Sequence, residues 1–300
     1  MDTYIIIVSY NGIKWLEKCL NSCCDYKVIV VDNASTDHTV AFIKKHFPRV
    51  ILLEQQTNLG FGQANNLGIS YALNEGADYV FLLNQDAYLK RDTIAELVNV
   101  HKTNSAFGVL SPIQLNGSGN KLDRNFSSYL KYDYNNFFHF DAINKNLSKI
   151  YEVPFVNAAS WLIPKETLLK VGGFDPIFFH YGEDDNYCQR LRYHRLKVGI
   201  VPHVFVMHDR EFENKGFQTK TLKYKEWMYK LNWANLNLKN HSSHINKRIR
   251  EIKNTRLNYL LKFNLRNVKR CNEELQLIYR ISDSITQSRI TNKTIGKHYI

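Results

Sequence analysis

The sequence predicts an α/β fold, a mostly parallel sheet flanked by helices, followed by a basic helical extension. Three observations carry this. Short apolar runs (Tyr4–Ser9, Val28–Val31, Val50–Leu53, Tyr79–Leu83) alternate with segments of helical period. Such units argue for parallel strands joined by right-handed crossovers. The runs lead into short polar side chains at Ser9-Tyr10-Asn11, Asp32-Asn33, Asn58 and Asn84-Gln85-Asp86, where open α/β sheets bind ligands. Finally, residues 1–209 hold 20 Lys+Arg against 21 Asp+Glu, while residues 210–300 hold 20 against 7. The net charge of +12 therefore belongs to the last third, which reads as an appended segment with its own partner.

In chain order, Tyr10-Asn11-Gly12 breaks the first strand, and Ile13–Cys23 repeats apolar residues at helical spacing. Ser35 or Thr36 is placed to cap a helix running to about His46, before Pro48. Asn58-Leu59-Gly60-Phe61-Gly62 forms a turn, and a helix follows through Leu73. Asp78–Leu83 leads into Asn84-Gln85-Asp86 as a strand buried on both faces. Arg91–Lys102 is an amphipathic helix and Phe107–Leu110 a strand. Residues 111–152 have no clear period but many aromatics, among them Tyr129, Tyr132, Tyr134 and Phe137. Long aperiodic regions are usually functional or mobile; flat rings suit sugars, and packing of an insertion fits equally. Phe155–Ile163 reads as a strand, Pro164–Lys170 as a short helix, and Lys197–Val201 and Pro202–His208 as two strands. Three helices follow, over Leu222–Leu238 and about 245–263 and 268–288.

Composition narrows the class. A hydrophobic share of 44% in 300 residues supports a substantial core, and no run of about 18 apolar residues suggests a membrane span. The N-terminus lacks a signal-peptide pattern. Cys19, Cys23, Cys24, Cys188 and Cys271 are odd in number and lack metal-site spacing, so a reduced, cytoplasmic setting is expected. Gly60-Phe61-Gly62 is neither a dinucleotide fingerprint nor a phosphate-cradling P-loop. Asp86 is placed to hold a hard divalent cation and, through it, a diphosphate, though an Asx turn fits the same residues. Asp32 can accept from a base or ribose, or be a solvated turn acid.

Four stretches, Ile7-Val8-Ser9-Tyr10-Asn11, Val31-Asp32-Asn33-Ala34-Ser35-Thr36-Asp37, Asn58 through Gly68, and Leu82-Leu83-Asn84-Gln85-Asp86, resemble the family 2 glycosyltransferases of GT-A fold. The rhamnosyltransferase-like and galactofuranosyltransferase-like members are nearest in pattern, and the resemblance covers roughly residues 3–210. It implies a UDP- or dTDP-linked sugar donor, Mn²⁺ or Mg²⁺, and inversion at the anomeric carbon. It also implies donor binding by Ser9, Tyr10, Asn11, Asp32, Asn33, Asn58, Gly60, Phe61, Asn65, Asn84 and Asp86, with Asp32 on the nucleoside. Asp86 would be the metal-binding acid of the DxD position, whose first Asp is here Asn84, leaving one charged ligand on that loop.

A hydroxyl attacking an anomeric carbon needs a base, and a carboxylate is the usual choice. Glu183-Asp184-Asp185 opens a helix after an aromatic, glycine-containing loop. The helix dipole favours acids there, but three beside aromatics exceed what capping needs. With Gly172-Gly173-Phe174-Asp175 before it and Arg190 after it, this stretch resembles the family's Glu-Asp-x-Asp segment. The match makes Asp184 the general base and Glu183, Asp185 and Arg190 acceptor-side or supporting residues. Asn186 replaces the second Asp, which weakens acceptor orientation more than the base. His208, rather than His203, would complete the metal shell; by itself a lone strand-end histidine reads as structural.

The expected organisation is a catalytic domain over 1–215, with a nucleotide-sugar half (1–110) and an acceptor half (111–215), then a basic helical region over 216–300. In that region Lys247, Arg248, Arg250, Lys253 and Arg256 interleave with Ile249, Ile252 and Leu257, a pattern that reads as membrane-surface binding. A lipid-linked glycan acceptor, cell-surface polysaccharide synthesis and a peripheral place on the inner membrane face would follow. A solvated cationic face or an oligomer contact fits the pattern equally; nucleic-acid binding gains nothing from the first 209 residues. Two competitors stand beside this reading. A sugar-nucleotide nucleotidyltransferase would want a basic, Gly-rich loop where Ser9-Tyr10-Asn11-Gly12 stands. A non-catalytic protein that kept the fold is opposed by intact Asp32, Asp86, Asp184 and His208.

Overall fold

The computed structural model describes residues 2–210 and 221–300, so the expected boundary at 215/216 lies outside the described residues. The chain divides into two compact units, Met1–Phe212 with Ile295–Ile300, and Glu213–Thr294.

The first unit opens with β1 (Thr3–Ser9), α1 (Ile13–Asn21), β2 (Lys27–Asp32), α2 (Thr39–His46), β3 (Ile51–Glu54), α3 (Phe61–Asn74) and β4 (Tyr79–Leu83). β1 pairs in parallel with β2 and β4, and β2 with β3; Ser9 lies opposite Asp32, so the polar strand ends align. The apolar runs are continuous because both sheet faces are covered. Tyr4 and Ile6 join one core with Ala64 and Ile69 of α3; Ile5 and Ile7 join the other with Leu16 and Ile43 of α1 and α2.

The unit continues with β5 (Ala87–Leu89), α4 (Thr93–Lys102), β6 (Phe107–Asn116), a 3-10 turn (Phe126–Leu130), α5 (Asn136–Ile143), β7 (Tyr151–Glu152), β8 (Ser160–Pro164), α6 (Lys165–Val171), α7 (Glu183–Tyr193) and β9 (Lys197–His208). The sheet order is β3-β2-β1-β4-β8-β6-β9-β5, with β7 on β9. β8 runs antiparallel to β4 and β6, while β6 and β9 are parallel, so the sheet is mixed.

Several expectations change. β9 is one strand rather than two: the register jumps from Pro112–Val201 to Ile113–Phe205, so Pro202 sits in an irregularity where its missing N–H breaks no ladder bond. β8 is shorter than Phe155–Ile163. Neither Ser35 nor Thr36 caps α2. Asn11 N–H donates to Ser35 Oγ (2.9 Å) and Thr36 N–H donates to Asn11 Oδ1 (2.8 Å), so these residues clasp two loops instead. The aperiodic insertion holds a 3-10 turn and a short helix.

The second unit has α8 (Leu222–Trp233), α9 (His241–Leu261) and α10 (Leu265–Lys293). Buried Glu274 on α10 accepts from Lys225 and Tyr229 on α8 and from Arg248 on α9, joining all three helices around one carboxylate. No helix among the described residues is long and apolar enough to cross a membrane.

Candidate active site

The carboxyl ends of β1, β2 and β4 frame a cavity of about 430 Å³. Of the residues expected there, Tyr10, Asn33, Asn58, Gly60, Phe61, Asn84 and Asp86 form its wall. Asn33 organises it. Its N–H donates to Ser9 O (2.7 Å), its Oδ1 accepts from Leu59 N–H (2.8 Å), and its Nδ2 donates to Asn58 Oδ1 (3.0 Å). Ser9, Asn11, Asp32 and Asn65 stand behind the wall. Ser9 Oγ donates to Gln85 Oε1 (3.0 Å), and Asn65 Nδ2 donates to Phe61 O within its own helix (3.0 Å). Asp32 is 2% exposed; one oxygen accepts from Ser35 N–H (3.0 Å) and the other is buried without a hydrogen-bond partner. Sequence reasoning missed Val8, Trp15, Gln85, Phe179 and His180 as wall residues. Val8 and Gln85 adjoin residues that were assigned, and Phe179 and His180 lie in the aromatic loop before the acids; Trp15 carried no signal.

Beside this wall, β5 runs antiparallel to β9 with Ala87 opposite His208, which brings Asp86 next to that histidine. His208 Nε2 lies 3.3 Å from Asp86 Oδ1, and His208 Nδ1 lies 3.3 Å from Gln114 Oε1. Gln114 Nε2 donates to Asn157 Oδ1 (2.7 Å), so its amide oxygen is the atom facing His208 and Nδ1 is the donor. Nε2 then aims its lone pair at a carboxylate oxygen. Two acceptors face each other across a gap that a cation or a second proton must fill. Asn84 Oδ1 is buried without a partner, and Asn84 Nδ2 is 3.5 Å from Nε2. A carboxylate, an imidazole nitrogen and a spare amide oxygen fit Mn²⁺ or Mg²⁺. Among the described residues no group of three or more His, Cys, Asp or Glu side chains is placed to hold a metal ion. His203 is exposed.

The acids open α7 after Tyr181 (φ 67°) and Gly182 (φ 94°), two left-handed residues that turn the chain into the helix. Glu183 is buried with Oε2 unpartnered; burial, then the Asp184 charge, pushes its carboxyl up to about 8. Asp185 is half-buried and pushed up to about 7 by burial and then by Asp184. Burial also raises Asp184, against the pull of backbone N–H groups including that of Asp185, which donates to Asp184 Oδ1 (2.9 Å). This acidic loop meets the β3–α3 loop at Gly60: at φ 78°, a Cβ there would lie 1.9 Å from the Phe179 carbonyl oxygen, so only glycine allows the approach.

Arg190 lies away from the cavity wall. It is 1% exposed, donating through Nη1 to Gly173 O (2.6 Å) and through Nη2 to Val171 O. Asn66, which carried no assignment, clamps Phe174 through both amide atoms (2.7 and 2.8 Å). Residues 295–300 close the turn from behind, with Gly173 N–H donating to His298 O (2.8 Å) and the Tyr299 ring beside Arg190. The turn that leads to the acids is thus gripped by three distant segments.

The Glu183 carboxyl gives a stability prediction. Its folded form keeps a proton to about 8 while an unfolded glutamate releases it near 4.5, so the folded state loses stability as pH rises through that window. Glu183→Gln should therefore be the more stable protein above pH 8, by at least about 1 kcal/mol or a few degrees in Tm, with the advantage shrinking toward pH 5. Thermal melts across this range check it; equal offsets at both ends would contradict the assignment.

A strand-end cavity that opens on a facing carboxylate–imidazole pair, with acids at a helix start beside it, suits group transfer from a nucleotide-activated donor, and the fold around it is GT-A. The chain belongs to glycosyl transferase family 2, whose family model matches residues 4–168. It is 24% identical over 222 residues to the low-salt glycan biosynthesis hexosyltransferase Agl10 of Haloferax volcanii, covering 73% of this chain and 70% of that protein. It is 26% identical to the dTDP-rhamnosyl transferase RfbF of Shigella flexneri, over 69% of each chain. The mannosyltransferase PcManGT from Pyrobaculum calidifontis, solved with GDP-Man and Mn²⁺, superposes with a TM-score of 0.53 at 20% identity, over 83% of this chain and 64% of that one. The protein is a glycosyltransferase with rhamnosyl- and hexosyltransferase relatives.

Proposed function

We propose that the protein is a metal-dependent, inverting transferase. It moves a rhamnose-like or other hexose from a UDP- or dTDP-linked donor to a glycan or lipid-linked glycan in surface polysaccharide synthesis. The observation that carries this is the facing of His208 Nε2 and Asp86 Oδ1 at 3.3 Å, next to a cavity made from strand ends. Asp86 and His208, with Asn84 Oδ1 in reach, would hold Mn²⁺ or Mg²⁺, which when bound offsets the charge on the departing nucleoside diphosphate. Tyr10, Asn33, Asn58, Gly60 and Phe61 line the volume offered to the donor, and Asp32 keeps a free carboxylate oxygen behind them. Asp184 takes the proton of the acceptor hydroxyl, its raised proton affinity suiting that step. Glu183 and Asp185 hold protons near neutrality beside it, which limits the negative charge Asp184 must share. Attack from the face opposite the diphosphate inverts the anomeric centre. Arg190 supports the turn before the acids.

This reading assigns the chemistry to residues 1–215 and surface attachment to the basic region 216–300, with the enzyme cytoplasmic and peripheral on the inner membrane face. The dTDP-rhamnosyl relative supports a dTDP donor, and the Mn²⁺ in the mannosyltransferase complex supports the cation. The test is proton NMR of the product formed with Mn²⁺ from dTDP-rhamnose or a UDP-hexose and a glycan acceptor. An anomeric configuration opposite to the donor's is expected; a retained configuration would sink the mechanism.

A further inference from the structure

The α9–α10 connection is a built tip with no apolar cover among the described residues. Helix α9 ends at Leu261, α10 begins at Leu265, and three residues join them into a helical hairpin. Phe263 stands at the apex in a left-handed backbone conformation (φ 52°), unusual for a bulky residue, and is 89% exposed. Leu261 is 71% and Leu265 70% exposed on either side of it. Leu257 and Leu260, also exposed, extend the apolar surface back along α9 at helical spacing. Local hydrogen bonds hold the apex: Phe263 N–H donates to Leu260 O (3.0 Å), Asn264 N–H to Tyr259 O (2.9 Å), and Asn267 N–H to the capping Asn264 Oδ1 (3.2 Å). The hairpin below it has its own core in Ile245, Ile252, Cys271, Leu275 and Ile278. The tip residues are therefore not needed to hold the hairpin together.

Charge surrounds this apolar point. Between Glu251 and Glu273 the sequence has no acid and six cations: Lys253, Arg256, Lys262, Arg266, Lys269 and Arg270. All but Arg256 are exposed. We propose that the tip of the α9–α10 hairpin inserts Leu261, Phe263 and Leu265 into the interface of an anionic lipid bilayer, with the cationic collar on the headgroups. This deepens the membrane-surface reading above and rests on it. Exposed apolar patches rimmed by charge mark interaction surfaces, and the combination of apolar wedge and cationic rim is the chemistry of an interfacial anchor. A second copy of the chain would bring two cationic collars together. Nucleic acid would engage the cations through phosphates but leave the wedge in water.

The test is flotation of the full chain with vesicles of phosphatidylcholine alone or with a third phosphatidylglycerol, at 0.05 and 0.3 M salt. The parent should float with the anionic vesicles, and less so at high salt as the collar is screened. The triple variant Leu261→Ser, Phe263→Ser, Leu265→Ser keeps every charge; its partition should fall at least tenfold at 0.3 M salt, where insertion is expected to dominate. Its hydrolysis of the nucleotide-sugar donor should match the parent's. As a second probe, Phe263→Trp should emit at shorter wavelength with anionic vesicles. Equal flotation of parent and triple variant, with no emission shift, would overturn tip insertion while leaving the basic region's membrane binding intact. No flotation of the parent with either vesicle would overturn both.

Discussion

Asp184→Asn is expected to lower turnover by about 10²- to 10⁴-fold, the usual contribution of a general base, while leaving donor binding intact. The amide keeps the shape and can still accept the Asp185 N–H, so the fold at the start of α7 has no reason to change. What disappears is the acceptor for the hydroxyl proton. The neighbouring acids make this a sharp test. Asp185, pushed up to about 7, is largely protonated just below neutrality, and Glu183 is buried and protonated still higher. Asp185→Asn should cost about tenfold or less if Asp184, not Asp185, takes the hydroxyl proton. The parent's acid limb gives a second check. Burial raises Asp184, so kcat/KM should fall with decreasing pH at values above the ordinary carboxylate range. Steady-state kinetics with donor affinity measured in parallel reads both effects. Full activity in the Asp184→Asn enzyme would move the base to another residue.

The second large effect belongs to Asp86. Asp86→Ala removes the carboxylate facing His208 Nε2 and should abolish cation-dependent nucleotide binding, leaving at most a weak, cation-independent component. A graded companion is Gln114→Leu, at a residue outside the cavity wall. It deprives His208 Nδ1 of its acceptor and frees the ring that Gln114 now fixes. Loss of such a supporting hydrogen bond typically costs about 10- to 100-fold in metal affinity. A Mn²⁺ titration of activity should show the midpoint rising by that factor with little change at saturating Mn²⁺. A Gln114→Leu enzyme with an unaltered Mn²⁺ midpoint would leave His208 outside the cation's ligands.

Much of the sheet through β4 was legible because its signals are local. Buried parallel strands are apolar on both faces, so β1, β2 and β4 read as unbroken runs and their polar ends stood out. Which polar residue faces the cavity was harder. Asn33, the first residue past β2, lines the cavity, while Asp32, the last residue of the strand, does not. The strand pairing that brings Asp86 to His208 left no local pattern; only the family resemblance put the two residues together. β5 has three residues, too few for a period, and its partner strand lies over a hundred residues further along the chain. The Gly60–Phe179 approach and the grip of residues 295–300 on Gly173 are long-range contacts that leave no mark in local composition. Arg190 shares the buried face of α7 with Glu183 and Tyr187, so it sat beside the acids in sequence but reaches the turn instead. In the insertion, α5 buries none of its residues, so no amphipathic pattern announced it.

The most direct test of the donor and cation site is a thermal-shift panel with UDP, dTDP, GDP and CDP, each with and without Mn²⁺. A nucleotide at about a hundred times its Kd adds roughly 2.7 kcal/mol, several degrees in Tm for a chain of this size. The expected result is a shift with UDP or dTDP that needs Mn²⁺ and vanishes in Asp86→Ala. A shift that is the same with and without Mn²⁺, or that survives in Asp86→Ala, would contradict a cation held by Asp86 and His208. No shift with any nucleotide would contradict the donor site itself.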